Sequence, residues 1–282
     1  LMIKRFDIIH TQDPDCANIL RIAKKIGLIK SKIILAHGTE EPFEFIKKFE
    51  YLQHLAPYHM EEAMRNGVNG ATKQFAIGNF VDGERFRPLT LTLSPEGRGD
   101  GVRGKFGIPE DAFVVLSVAA IKKTHKRIDY LIEETAELIQ NPSPYPSPQR
   151  GEGKGVRGIF LVIAGARTNE TDELVKMAKE KLGDRVIFLT DFPRERMNEV
   201  YAMADVFTLC SLKEMMPIAL LEAISSGIPA IVNKHPVMEW MIGPGGECID
   251  MSKEGELVKA IEKYMDENYR KEKSLKAREH AL

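Results

Sequence analysis

The sequence predicts an α/β protein whose main domain is a doubly wound parallel sheet. Three observations carry that prediction. The chain opens strand–helix–strand, which is the logic of a parallel sheet joined by crossover helices. From Phe113 onward, apolar runs of strand length alternate regularly with helical stretches. Cap and stop residues stand where that alternation needs them, with an acidic residue before one helix and glycines after several.

Taken in order, FDIIH (Phe6–His10) reads as a buried strand. Asp15 is the expected cap of a helix from Cys16 to Ile26, closed by Gly27. KIILAH (Lys32–His37) is the second strand, and His37 stands at its carboxyl end, where ligands of parallel sheets gather. The next stretch shows helical patterns over Phe43–Leu52 and Pro57–Asn66, then a turn at Gly67–Gly70. Phe113–Ala120, Ile159–Gly165, Arg185–Phe192, Asp205–Cys210, Pro229–Val232 and Glu247–Ile249 read as strands. Helices are expected over Lys126–Gln140, Asp172–Leu182, Arg194–Met203 and Pro217–Ser226, with a C-terminal helical region from Gly255.

Two segments interrupt this order. LSPEGRGDGVRG (Leu93–Gly104) recurs as PSPQRGEGKGVRG (Pro146–Gly158), and neither has apolar periodicity. Their Gly, Pro and Arg content reads as loop or disorder, and neither copy carries a supersecondary unit. They are expected to be insertions in exposed loops. An arginine–glycine patch for nucleic acid ranks lower, because no aromatic residues interleave with the arginines of the shared core. The expected organisation is a partial first domain over 1–88, an inserted linker over 89–105, and a second domain over 106–282 with an insert at 141–158.

Composition narrows the function. With 282 residues the chain is long enough for two modest domains, and 43% hydrophobic with 29% charged residues is ordinary for a globular protein. The net charge of −1 draws it neither to nucleic acid nor to anionic lipid as a whole, while local basic clusters leave a peripheral membrane contact open. Three scattered cysteines lack metal-ligand spacing, which argues for a reducing compartment. No run reaches the ~18–20 apolar residues of a membrane span. No signal-peptide core stands at the N-terminus, so a cytoplasmic location is expected.

The most informative stretch is SLKEMMPIALLEAISSGIP (Ser211–Pro229), in which Glu214 and Glu222 have seven residues between them. Pro217 opens the helix and Gly227 closes it. A strand, a loop and a helix N-terminus make a natural anion site, because unbonded backbone N–H groups and the helix dipole face the loop. Glu222 lies about five residues into the helix, roughly 7–8 Å from its start at 1.5 Å per residue. It is set back from a phosphate at the tip and suits sugar hydroxyls instead.

This pattern resembles the Glu-seven-residues-Glu motif of retaining glycosyltransferases of the GT-B fold (glycosyltransferase family 4, the glycosyl transferases group 1). The resemblance covers the second domain and, more weakly, Phe6–Pro88, where Asn79, Val81, Asp82, Phe86 and Pro88 match a segment with Phe80 in place of a glycine. It implies two Rossmann-like domains, the first incomplete at its N-terminus. It further implies retaining transfer from a nucleotide-diphosphate sugar to a glycan, lipid or small acceptor, by a hexosyltransferase-type enzyme. Glu214 resembles the glutamate at the transferred sugar, Glu222 the one that holds the donor ribose, and His37 a histidine near the reacting sugar. Lys126 stands at the position of a diphosphate-binding lysine, but Ala120 stands where the family has an arginine; Lys122, Lys123 or Arg127 is left to supply that charge. Met215, Met216 and Pro217 occupy the loop that approaches sugar and phosphate, and Gly165 and Leu189 lie where the nucleobase lodges. No metal or other cofactor is expected, since no DxD-type motif stands in a suitable loop. A GxGxxG fingerprint is also missing, which disfavours a dehydrogenase. The competing reading is a truncated, non-catalytic nucleotide-sugar-binding remnant of the same family.

Overall fold

A computed structural model of the chain describes residues 6–38, 40–87, 101–140 and 158–281. Contacts divide it into two units, Leu1–Phe80 and Val81–Leu282. Most of the inserted stretches, the linker and Pro88 lie outside the described residues.

The first unit runs β1 (Ile8–Thr11), α1 (Pro14–Lys25), β2 (Lys32–His37), α2 (Phe43–Ile46), β3 (Tyr51–His54), α3 (Pro57–Arg65) and β4 (Lys73–Ala76). Its described strands form a parallel sheet in the order β1-β2-β3-β4. Ala17, Leu35, Ile46, Phe49, Leu52, Ala63 and Val68 make its core. Two sequence expectations change here. The cap of α1 is Asp13, whose side chain accepts from the Cys16 N–H at 2.6 Å, and Asp15 falls inside the first turn. The helix expected over Phe43–Leu52 stops after one turn, and Tyr51–His54 is a strand. Pairing with β2 on one side and β4 on the other satisfies its backbone, and Leu52 is wholly buried. Both partners are remote in sequence, so local periodicity could not reveal this strand.

The second unit begins with α4 (Val102–Lys105), then β5 (Phe113–Val118), α5 (Ile128–Gln140), β6 (Ile159–Gly165), α6 (Thr171–Leu182) and β7 (Val186–Thr190). It continues with α7 (Met197–Ala202), β8 (Val206–Leu209), α8 (Ile218–Ser225), β9 (Ala230–Asn233), α9 (Pro236–Ile242) and β10 (Gly246–Ile249). Helices α10 (Glu256–Met265) and α11 (Glu267–Ala281) end it. Its sheet is six-stranded and parallel, in the order β10-β9-β8-β5-β6-β7. The chain winds from β5 through β6 to β7, then crosses back to β8 on the other side of β5. The order therefore reverses between β5 and β8, and ligands of such sheets bind at that switch point, beyond the strand carboxyl ends. Val114, Val115, Leu116, Leu161, Val162, Ile163, Val206, Phe207 and Ile231 are at most fractionally accessible, so the central strands are covered on both faces.

The end of the first repeat copy is ordered, contrary to its loop-like sequence. Arg103, in the single turn of α4, is buried and pairs with Asp205 at 2.9 Å. It also donates to the carbonyls of Met203, Glu110 and Ala112 at 3.1, 2.8 and 2.9 Å. Asp205 accepts from the Val114 N–H at 2.9 Å and faces Arg270 of α11 at 3.4 Å. One carboxylate thus joins the start of β5, the entry to β8 and the last helix. Upstream, Phe86 is buried with its ring edge-on to Tyr201, and Arg278 of α11 donates to the Gly83 carbonyl, so Val81–Phe86 packs with this unit.

Candidate functional site

The switch point is built from two strand-exit loops. The loop after β5 carries His125, Lys126 and Arg127; the loop after β8 carries Ser211 to Pro217. Lys126 was expected at the start of a helix, but α5 begins two residues later, at Ile128. His125 and Arg127 both have positive φ, 69° and 52°, a region that side chains with a Cβ seldom adopt. That strain flanks Lys126 on both sides and turns its side chain across the switch point, where Nζ pairs with Glu214 Oε1. His125 Nε2 lies 3.7 Å from the same oxygen and 2.8 Å from the Lys213 carbonyl. Both Lys126 and Glu214 are largely covered, at 18% and 11% side-chain exposure. Two residues 88 apart in sequence therefore meet at the place the topology marks for a ligand. Strained backbone of this kind persists where the surroundings over-determine it, and it clusters at functional sites.

The helix tip behaves as the proline predicted. Pro217 caps α8 in extended backbone, and the first helical N–H groups follow at Ile218 and Ala219. Met216 is buried behind the tip, while Met215 and Pro217 are half-buried.

Glu222 sits in α8 as expected, but its carboxylate is wholly buried and both oxygens are engaged. Tyr201 donates its hydroxyl to Oε2 at 2.7 Å, and Arg194 pairs with Oε1. Burial, with the Glu222 charge beside it, holds the Tyr201 hydroxyl far above the ordinary phenol range, so it remains a donor. Sequence reasoning missed both partners. Arg194 was read as the first residue of a helix, yet Arg194–Arg196 is a 3-10 turn, with α7 starting at Met197. The Arg-Glu-Arg run after Pro193 was the available signal. Tyr201 gave none, since an aromatic residue in an amphipathic helix reads as core.

Three other expected contacts have structural duties. A Cβ on Gly165 would lie 1.7 Å from the Ala119 carbonyl oxygen, so glycine is required for the close approach of the β5 exit to the β6 end. Leu189 is half-buried in β7, opposite Ala164. Arg127 donates to the Met251 carbonyl at 2.5 Å and its guanidinium lies 4.2 Å from the Tyr130 ring centroid, tying the β5 loop to the β10–α10 connection. Lys123 pairs with Glu173 at 2.5 Å. Neither Arg127 nor Lys123 points its charge at Glu214. His37 belongs to the first unit, buried at the end of β2.

The profile of the glycosyl transferases group 1 matches residues 100–281. The chain belongs to that family. A curated relative, alpha-galactosylglucosyldiacylglycerol synthase of Streptococcus pneumoniae, is 29% identical over 194 residues, covering 67% of this chain and 45% of the relative. An Escherichia coli UDP-Gal:alpha-D-GlcNAc-diphosphoundecaprenol alpha-1,3-galactosyltransferase is 24% identical over 250 residues, 82% of this chain and 58% of that one. The chain thus spans about half the length of these relatives. Among solved structures, sucrose-phosphate synthase from Thermosynechococcus elongatus superposes with a TM-score of 0.78 at 17% identity, over 98% of this chain and 69% of that one. Anabaena HepE in complex with UDP and glucose gives 0.74 at 18%, over 98% and 73%. At such identities the likeness concerns the fold alone, which is α/β of the GT-B type. No helix among the described residues is long and apolar enough to cross a membrane.

Proposed function

We propose that this glycosyl transferases group 1 chain transfers a hexosyl group, with retention, from a nucleoside-diphosphate sugar to a glycan, lipid or small acceptor. The observation that carries the reading is the Lys126–Glu214 pair at the switch point, beside the tip of α8. In the transfer, the bond between the anomeric carbon and the diphosphate oxygen breaks. Its electron pair leaves with the diphosphate, the acceptor oxygen forms the new bond on the same face, and the acceptor's proton leaves with the diphosphate. Negative charge then grows on the leaving group and positive charge on the sugar ring. Lys126 and the first N–H groups of α8 serve the former, and Glu214 serves the latter. In the unliganded arrangement Lys126 and Glu214 neutralise each other; a donor diphosphate entering at the helix tip takes over the lysine and leaves the carboxylate to the sugar. Glu222 is the ribose acceptor in this reading, and the exposed Arg194 must turn aside for a ribose to reach it. His37 of the first unit is assigned a sugar hydroxyl.

Calorimetry with UDP- and GDP-sugars, followed by assays of transfer and of slow donor hydrolysis, tests the proposal. Micromolar to millimolar donor binding with turnover that Glu214→Ala abolishes supports it. Donor binding that survives Glu214→Ala, with no turnover in the wild type, identifies a binding remnant instead. Affinity indifferent to Glu222→Ala and Lys126→Ala rejects the donor site altogether.

A further inference from the structure

The first unit holds a polar cluster of which the proposed function uses only His37: buried His37 at the end of β2, buried His54 opposite it at the end of β3, and the half-buried Gln74 on β4 and Glu41 just beyond β2. Its hydrogen bonds form a chain that can be read in one direction only. Gln74 Nε2 donates to the Val68 carbonyl at 2.6 Å, which fixes the orientation of the amide and turns Oε1 toward His54. An amide oxygen carries no hydrogen, so across the 2.8 Å contact His54 Nε2 is the donor. His54 is wholly buried, and burial holds its pKa below the usual histidine value, so the ring is neutral and has one N–H. That N–H is spent on Gln74, leaving a lone pair at Nδ1. The lone pair faces His37 Nδ1 at 3.4 Å, with the two rings edge-on, 5.4 Å between centroids. A hydrogen bond there requires the proton on His37 Nδ1. The other nitrogen of His37 is 3.4 Å from Glu41 Oε2.

We propose that His54 and Gln74 are positioning residues that lock His37 with a proton on Nδ1 and direct its Nε2 toward the Glu41 carboxyl. Nδ1 stays protonated whichever partner, imidazole or carboxyl, holds the proton on the Nε2···Oε2 line. His37 Nε2 is closed off from solvent in the unliganded arrangement, so it takes up the role given to His37 above, on which this last step rests, when the Glu41 carboxyl moves aside. A polar chain whose direction is set from the Val68 carbonyl through Gln74 and His54 specifies one arrangement of the His37 ring, and an unlocked His37 would divide its population between two tautomers.

Long-range proton–nitrogen correlation spectra of the full 15N-labelled chain test the lock directly, since each of the seven histidines reports which nitrogen is protonated. The expected result is a protonated Nδ1 on His37 and a neutral His54 with its proton on Nε2. A His37 with an unprotonated Nδ1, or a His54 averaged between tautomers, overturns the proposal on the wild-type spectrum alone. Gln74→Leu, which removes the acceptor for His54 Nε2, is expected to release the pattern. With the pattern released, turnover is expected to fall about tenfold while donor affinity in calorimetry stays within twofold. A locked tautomer whose release leaves turnover unchanged removes the lock's part in transfer, and so separates failure of the role given to His37 from failure of the lock itself.

Discussion

Glu214 shows how much a single residue's meaning depends on what it meets. In the sequence it is one of two carboxylates with the right interval; in the fold it faces a lysine from another loop, and that encounter gives the interval its chemistry. Removing one preorganised charge aimed at a transition state costs about 10²–10³ in rate. Lys126→Met and Glu214→Gln are therefore each expected to lower kcat/KM by that order, and the double variant by little more than either alone, because the two act as a unit. Steady-state kinetics on the three variants check this. Glu222 belongs to the same scale. Tyr201→Phe removes one of the two groups that satisfy its buried carboxylate, which is expected to cost about 1–3 kcal/mol. Urea unfolding of the wild type and variant measures it.

At the level of elements, close approach and buried charge decide more than propensity does. Gly165 ends β6 where the β5 exit crosses it, and Gly165→Ala forces backbone against Cβ. Overpacking of this kind costs about 1–3 kcal/mol or more, and here the Ala119 carbonyl is backbone that cannot rotate away. A clearly lowered melting temperature is expected, together with weaker donor binding, since the displaced loop carries Lys126. The ends of β2 and β3 carry a pH signature. Burial lowers the folded-state pKa of His54, so below the ordinary histidine value of 6.5 the unfolded chain takes up a proton that the folded chain refuses. Stability from this group is present above that pH and is lost as the pH falls. Burial raises the Glu41 pKa, which acts in the opposite sense: its contribution is present below 4.5 and is lost as the pH rises through the folded-state value. His54→Gln removes only the first effect. The stability of this variant relative to wild type is expected to improve as the pH drops from 7.5 to 5.5, as read from unfolding curves at both values.

For the second unit as a whole, the Arg103–Asp205–Arg270 cluster stands out because it gathers its first described helix, two strand starts and its last helix on one carboxylate. Breaking a buried ion pair by deleting one partner costs about 3–5 kcal/mol; here Asp205 would keep Arg270 and the Val114 N–H, while the Met203, Glu110 and Ala112 carbonyls would lose the donor that Arg103 supplies. Arg103→Leu is expected to destabilise by that order in chemical unfolding, although Arg103 sits in a stretch that reads as an inserted loop. Helix α11 is held just as firmly: a Cβ on Gly245 would strike the Ala277 backbone, and Ser274 donates to the Gly227 carbonyl at the end of α8.

The sequence by itself determined the strand–helix alternation, the position of α8 between Pro217 and Gly227, the Glu214–Glu222 interval and the family they indicate. These features are local: periodicity, caps and stops act over a few residues, and one stretch of chain contains them. It could not reveal β3, whose strand character comes from β2 and β4, or the helical turn at Val102–Lys105, which is kept by a carboxylate about a hundred positions further on. Nor could it pair Lys126 with Glu214, Arg194 and Tyr201 with Glu222, or His54 with His37. Those partners are separated by 17 to 88 residues, and strand order, which only tertiary packing sets, brings them to one end of a sheet.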